Sequence, residues 1–171
     1  MGARIGSQPV TYLITFACYG CHLHGSESGS VDREHNQLGS PTLEVDSTRA
    51  AAERERMGQA PYHLDPIRRD AVLEAMQAVC VHRGWSLLAA HVRSTHVHVV
   101  VEAEMTPERV MSDFKAYASR RLNRMNLDPM GRKRWARHGS TRWLKKPKHV
   151  SAAIEYVVGG QGDAMAHLEE A

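Results

Sequence analysis

The chain has 171 residues, 42% of them hydrophobic and 24% charged, with a formal net charge of +3. That length bounds it to one domain, 1–171, with room for a real core, and the composition is that of a soluble globular protein. Its longest apolar runs are far too short to span a bilayer, no apolar run follows Met1-Gly2-Ala3-Arg4 as a secretory signal would need, and three cysteines (Cys18, Cys21, Cys80) fit a reduced cytosol better than a disulfide framework.

The modest net charge hides a strong asymmetry. Between Lys115 and Lys148 there are twelve Lys/Arg and one acid, Asp128, which leaves ten basic and eighteen acidic residues for the rest of the chain. A basic block of this size at 115–148 points to a polyanionic partner.

Taken in order, Val10 to Ala17 is rich in β-branched and aromatic residues and predicts a first strand. Cys18, Cys21, His22 and His24 follow it within seven residues. A zinc site there would need a second, distant pair of ligands, and none follows, so the segment is read as a turn. From Gly25 to about Met57 the Ser/Gly/Glu-rich sequence shows little periodicity and reads as a long surface loop. Asp65-Pro66 is a cap followed by proline, and Ile67, Ala71, Met76, Val79 and Cys80 recur at helical spacing up to Gly84. Trp85 to Val92 predicts a second strand and Arg93 to Ala103 a third, and the pattern leaves open whether the two form a hairpin turning near Arg93. His91 belongs to either strand.

Thr106-Pro107-Glu108 opens a second helix by the same cap-then-proline grammar. Its apolar stripe is Val110, Met111, Phe114, Tyr117, Leu122 and Met125, with Lys115, Arg120, Arg121 and Arg124 on the remaining surface. Leu127 to Gly139 reads as a basic loop holding Arg132, Lys133, Arg134, Arg137 and Trp135. Ser140 to Leu144 (with Arg142 and Trp143) predicts a short strand, and Lys145-Lys146-Pro147-Lys148 leads into a last helix over about His149 to Val158, ended by Gly159-Gly160. The sum is an α+β fold of ferredoxin-like (RRM-like) type, an antiparallel sheet with helices packed on it.

The chemistry centres on the third strand. Side chains alternate along a strand, so His96 and His98 share one face while Val97, Val99 and Val101 fill the other. Two imidazoles at i, i+2 can both reach one small object, most simply a metal ion or a phosphate. In the last helix Val150, Ala153, Ile154, Val157 and Val158 make the core stripe, and Tyr156 falls at its flank, placed to present its hydroxyl to a groove. A phenol with an ordinary pKa near ~10 is a weak nucleophile at neutral pH. A divalent metal on His96 and His98 would polarise a phosphate for it, and Gln161 is the nearest candidate for a third ligand. Positive charge at Lys115, Arg120, Arg121, Arg124, Arg132, Lys133, Arg134, Arg142, Lys145 and Lys146, with Trp135 among them, would track the phosphates and bases of a single strand.

Thr95-His96-Val97-His98-Val99-Val100-Val101 resembles the HUH motif of the single-tyrosine HUH transposases, and of their REP-associated tyrosine transposase relatives in particular. The Phe114-Lys115-Ala116-Tyr117 helix running on to Leu122-Asn123, the Ile154-Glu155-Tyr156 segment ending in Gly159-Gly160-Gln161, and the opening Tyr12-Leu13-Ile14-Thr15-Phe16 are similar to that family as well. The resemblance implies a metal-dependent single-stranded DNA endonuclease and strand transferase acting at hairpin-bearing sites. His96 and His98 would hold Mg²⁺ or Mn²⁺, and Tyr156 would form a 5′-phosphotyrosine link and release a 3′-hydroxyl. It also implies a cytoplasmic, nucleoid-associated protein with no membrane partner, from a family in which homodimers occur. One departure stands out. The family's polar ligand one turn after the tyrosine falls here on Gly160, with Gln161 one further on, so the Gly-Gly break would have to turn Gln161 back to the site. The alternative class is a non-catalytic RRM-like module that binds single-stranded nucleic acid with a steep salt dependence and no metal requirement. A His-triad hydrolase ranks last, because position 100 is Val where a third alternating His would stand.

Overall fold

A computed structural model describes residues 8–21 and 47–170. Its elements run β1 (Val10–Cys18), α1 (Ser47–Glu55), α2 (Pro66–Arg83), β2 (Ser86–Val92), β3 (His96–Ala103), α3 (Pro107–Arg124), β4 (Trp135–Trp143), α4 (Pro147–Gly159) and β5 (Ala166–Glu169). The five strands form one sheet in the order β4-β1-β3-β2-β5, antiparallel at each pairing. The first four strands keep the βαββαβ order of a ferredoxin-like domain, and β5 extends the sheet beyond β2.

Alternation along the strands creates two separate cores. Tyr12, Ile14, Phe16, Val97, Val99 and Val101 face α2 and α3, where Val72, Met76, Val79, Val110, Phe114 and Leu122 cover them. Leu13, Ala89 and Val100 face the other way and are covered by Ala153 and Val157 of α4. Helices thus pack on both faces of the sheet, with α4 alone among the helices that pack on its second face. A bulge between Leu87 and Ala89 shifts the β2–β3 register, which puts Leu87 on the α2 side and Leu88 on the α4 side.

The local grammar explains the boundaries. Asp65 accepts from the Arg68 N–H at 2.8 Å to open α2, and Gly84 closes it at φ 71°, φ/ψ values that favour glycine. Thr106 precedes Pro107 in extended conformation without a side-chain cap bond. Arg93-Ser94-Thr95 is the β2–β3 turn, held by Arg93 N–H to His96 O at 2.9 Å.

Four expectations change. Ile67 is 60% exposed, and Val72 and Ala75 take its place in the α2 stripe. Trp135 to Gly139, expected in a basic loop, begins β4, because pairing with β1 overrides the low strand propensity of that segment. Ser47–Glu55, expected in the long loop, is helical, while residues 25–46 of that loop, and His22 and His24 of the Cys/His cluster, lie outside the described residues. The four-residue β5 was not foreseen, being too short to carry a period. No described helix is long and apolar enough to cross a membrane.

Candidate active site

The site begins at the first residue of β3. The turn before it is fixed from two sides, by the Cys18 N–H on Thr95 O and the Leu64 N–H on Ser94 O, both at 2.8 Å. Strand alternation then points His96 and His98 to the α4 face, with ring centroids 4.7 Å apart and planes at 82°. Each Nδ1 meets a threonine hydroxyl: Thr95 Oγ1 lies 2.9 Å from that of His96, and Thr15 Oγ1 lies 2.8 Å from that of His98. Thr15 is directly opposite His98 in the β1–β3 register, so β1 supplies the second partner.

His98 is only 5% exposed, and its Nε2 is buried without a hydrogen bond of acceptable geometry. Burial, followed by the charges of His96 and His91, pushes its pKa down to about 3, while the Gln161 side chain is close enough to work against that shift. At neutral pH His98 is therefore a neutral imidazole. In the tautomer whose Nδ1–H donates to Thr15 Oγ1, the Nε2 lone pair is left for an electrophile, the form a metal ligand must have.

Helix α4 brings the tyrosine. Ala153 and Val157 anchor it to Leu13, Ala89 and Val100, and Tyr156, one residue before Val157, stands at the flank of that contact. Its ring is 47% exposed, with its centroid 5.5 Å from that of His98. Arg142 lies opposite Leu13 on the same face of the sheet, where burial lowers its pKa and Tyr156 counteracts the shift. The helix stops at Gly159, and the Gly160 N–H meets Tyr156 O at 3.1 Å. Gln161 folds back, its Nε2 donating to Tyr156 O at 3.2 Å. The expected return of Gln161 thus has a physical cause: the Gly-Gly stop releases it from helical rotation. Among the described residues no cluster of three His, Cys, Asp or Glu gathers at this pair, and the Gln161 side chain lies beside His98 with an amide to offer.

The basic residues separate into two groups. Several are committed to the fold. Arg134 is 7% exposed and is bound by Asp128 at 3.0 Å and Asn123 at 2.8 Å. Lys115 donates to Ala136 O at 2.9 Å and His138 O at 3.3 Å, and burial pushes its pKa down to about 8. Arg132 holds Gln59 and the carbonyls of Ala60 and Pro61 and lies over the Tyr62 ring. Trp135 stacks edge-on against Phe16 at 5.2 Å and spends its indole N–H on Ser119 Oγ and Lys115 O. By contrast Arg120, Arg124, Lys133, Lys145 and Lys146 are exposed, and Arg121 is an exposed partner of Glu74. Helix α3 with Arg120, Arg121 and Arg124 packs on the sheet face opposite to His98 and Tyr156.

Sequence reasoning did not identify Thr15 and Thr95 as imidazole partners, and left His91 in either of two strands. Thr95 adjoins the His pair and was legible as a neighbour; Thr15 becomes visible only through the β1–β3 register. His91 is fully buried, opposite His98 on one side and His167 on the other.

The IS200-like transposase family model matches residues 63–146, from the approach to α2 through β4 and the His pair, stopping short of α4. Among solved structures the chain is similar to a REP-associated tyrosine transposase bound to a REP hairpin (10% identity, TM-score 0.48, covering 92% of this chain and 70% of that one). It is also similar to a transposase candidate from Deinococcus radiodurans (14% identity, TM-score 0.47, covering 96% and 99%). No curated protein matches it. The matched segment, just under half of the chain, carries the His strand and both helices of the larger core, and it is similar to the IS200-like transposase family.

Proposed function

We propose that this chain is a metal-dependent single-stranded DNA endonuclease and strand transferase, with Tyr156 as nucleophile and His96, His98 and Gln161 as the metal-holding set. The observation that carries the reading is the orphaned, buried Nε2 of His98 beside the Tyr156 ring. A buried polar atom without a partner is costly unless something binds it. The donor set, two imidazoles and an amide, fits a divalent ion. Such an ion, Mg²⁺ or Mn²⁺, would supply Lewis-acid polarisation of the scissile phosphate.

The chain's own groups account for the rest. The Tyr156 oxygen attacks phosphorus as the bond to the 3′-oxygen breaks, giving a 5′-phosphotyrosine and a strand with a free 3′-hydroxyl; the phenolic proton leaves to solvent and the 3′-oxygen takes one up. Arg142, on the same face as the tyrosine, offsets charge developing on phenolate and phosphate. Thr15 and Thr95 orient the imidazoles. The exposed cations Arg120, Arg121, Arg124, Lys133, Lys145 and Lys146 hold the DNA backbone, a hairpin-bearing strand, in a cytoplasmic, nucleoid-associated setting, with a homodimer as the working unit.

The test is covalent trapping. Labelled hairpin-flanked single-stranded DNA is incubated with Mn²⁺ and wild type, Tyr156→Phe or Tyr117→Phe, then run on a denaturing gel. An adduct abolished by chelator and lost only in Tyr156→Phe is expected. Loss only in Tyr117→Phe would reassign the nucleophile. Chelator-insensitive binding without any adduct, over a panel of hairpin sequences, would leave the RRM-like binding module.

A further inference from the structure

His91 is fully buried in β2, yet both of its ring nitrogens are satisfied by backbone, and by two different segments. The Met165 N–H donates to Nε2 at 3.1 Å, so that nitrogen carries a lone pair. Val157 O lies 3.0 Å from Nδ1, and a carbonyl only accepts, so Nδ1 carries the proton. The ring is thereby fixed in one neutral tautomer. Its two partners flank Gln161 and adjoin the tyrosine: Val157 directly follows Tyr156, and Met165 lies four residues after Gln161. Between them the chain stops a helix at Gly159, turns through Gly162 at φ 76°, and is gripped again by Arg93, whose Nη1 donates to Asp163 O at 3.0 Å. The α4 contact with the sheet otherwise rests on Ala153 and Val157, with Val150, Ile154 and Val158 packed beside them.

We infer that His91 is a positioning residue: it staples the Val157–Met165 segment to β2 and so sets both Tyr156 and Gln161 against His98. This rests on the transferase reading above. The staple works through geometry. His91 pairs with His98 across β2 and β3, so the ring that holds the tyrosine helix stands in the same transverse row as the imidazole the tyrosine must face. That row runs Ser140, Thr15, His98, His91, His167 across all five strands. A displacement of about 1 Å in a reacting group costs on the order of 100-fold in rate, and releasing the last turn of α4 permits at least that.

The experiment compares wild type with His91→Ala, His91→Asn and His91→Gln. Asparagine places an amide N–H near the Nδ1 position and can keep the Val157 bond; glutamine places an oxygen near Nε2 and can keep the Met165 bond. Measured are the single-turnover rate of adduct formation with Mn²⁺, the affinity for the same DNA without metal, and amide exchange over residues 157–166. Expected for His91→Ala is a rate lower by about 100-fold with DNA affinity unchanged, substantial recovery in His91→Asn, and faster exchange in the Gln161–Met165 segment. The ¹⁵N shifts of wild-type His91 should show the Nδ1–H tautomer. An unchanged rate in His91→Ala, or rate and affinity falling together with no recovery in His91→Asn, would overturn the proposal, as would the Nε2–H tautomer. If wild type itself forms no adduct, the transferase reading fails, while the exchange and ¹⁵N measurements still decide the staple.

Discussion

Replacing Thr15 by valine keeps the β-branched shape and removes one hydroxyl, the partner of His98 Nδ1 at 2.8 Å. His98 is 5% exposed, so its Nδ1 would be stranded inside the protein. Leaving a buried polar group without a partner costs about 1–3 kcal/mol. In a chain of this length each kcal/mol lowers the melting midpoint by about 2–4 °C, so a fall of about 2–12 °C is expected. A second effect is separable from the first. Without Thr15 the ring is free to place its proton on Nε2, the nitrogen that must be bare to bind a cation. Outer-shell partners of this kind are worth about 10–100-fold in metal affinity. Calorimetric titration with Mn²⁺, alongside the Mn²⁺ dependence of adduct formation, reads that directly, and Thr15→Ser should restore both. A Thr15→Val protein with a lowered midpoint but wild-type Mn²⁺ affinity would refute the argument from tautomer control.

The basic residues should divide in the same way by what they already hold. Arg134→Ala removes one of the two arginines on the largely buried Asp128 carboxylate, leaving Arg68 and the Tyr62 hydroxyl in place, and should cost about 1–3 kcal/mol of stability, whereas Arg124→Ala should leave thermal unfolding unchanged and reduce the salt slope of DNA binding by about 1; a melting curve and a salt titration on both proteins check this. Gly139→Ala places a Cβ 2.5 Å from the Thr15 carbonyl and 2.7 Å from Met111 Sδ, so β4 must move off β1, and circular dichroism should show a strongly destabilised protein. In the metal-free protein His98 is held at about 3 by burial against an ordinary 6.5. Between those values the unfolded chain binds a proton that the fold does not, so this contribution is intact above about pH 6.5 and is lost as pH falls toward 3, at up to about 1.4 kcal/mol per pH unit. Urea unfolding from pH 7 to 4 should show that slope, and His98→Asn should flatten it; an equal slope in both proteins would assign the acid sensitivity elsewhere.

The readable parts of the sequence were those whose signal is local. The cap-then-proline starts of α2 and α3, Gly84, and the valine face of β3 each follow from a few adjacent residues, and each stands where the pattern places it. The His pair and Tyr156 were legible for the same reason, since alternation and helical flank are short-range properties. What was hidden depends on register. Trp135 carries no mark that it will lie across from Cys18 in β4, and β5 exists only because β2 offers it an edge. Charge alone does not tell which cations the fold already uses. Arg132 and Arg134 look like DNA contacts in a basic run, yet one clamps the Gln59–Pro61 segment and the other neutralises Asp128.

The alternation of β3 has a consequence for how this protein can change over evolutionary time. Even-numbered positions 96 and 98 belong to the reactive face, while Val97, Val99 and Val101 belong to the larger core. Substitutions on one face therefore leave the other nearly untouched, and the recognition chemistry can drift without re-engineering the interior. Length is different. Losing or gaining a single residue within β3 would exchange the two sets, driving imidazoles into an apolar interior and valines onto the reactive surface. A side chain can therefore be exchanged on one face without moving the other, but the spacing from Thr95 to Val101 is fixed by parity.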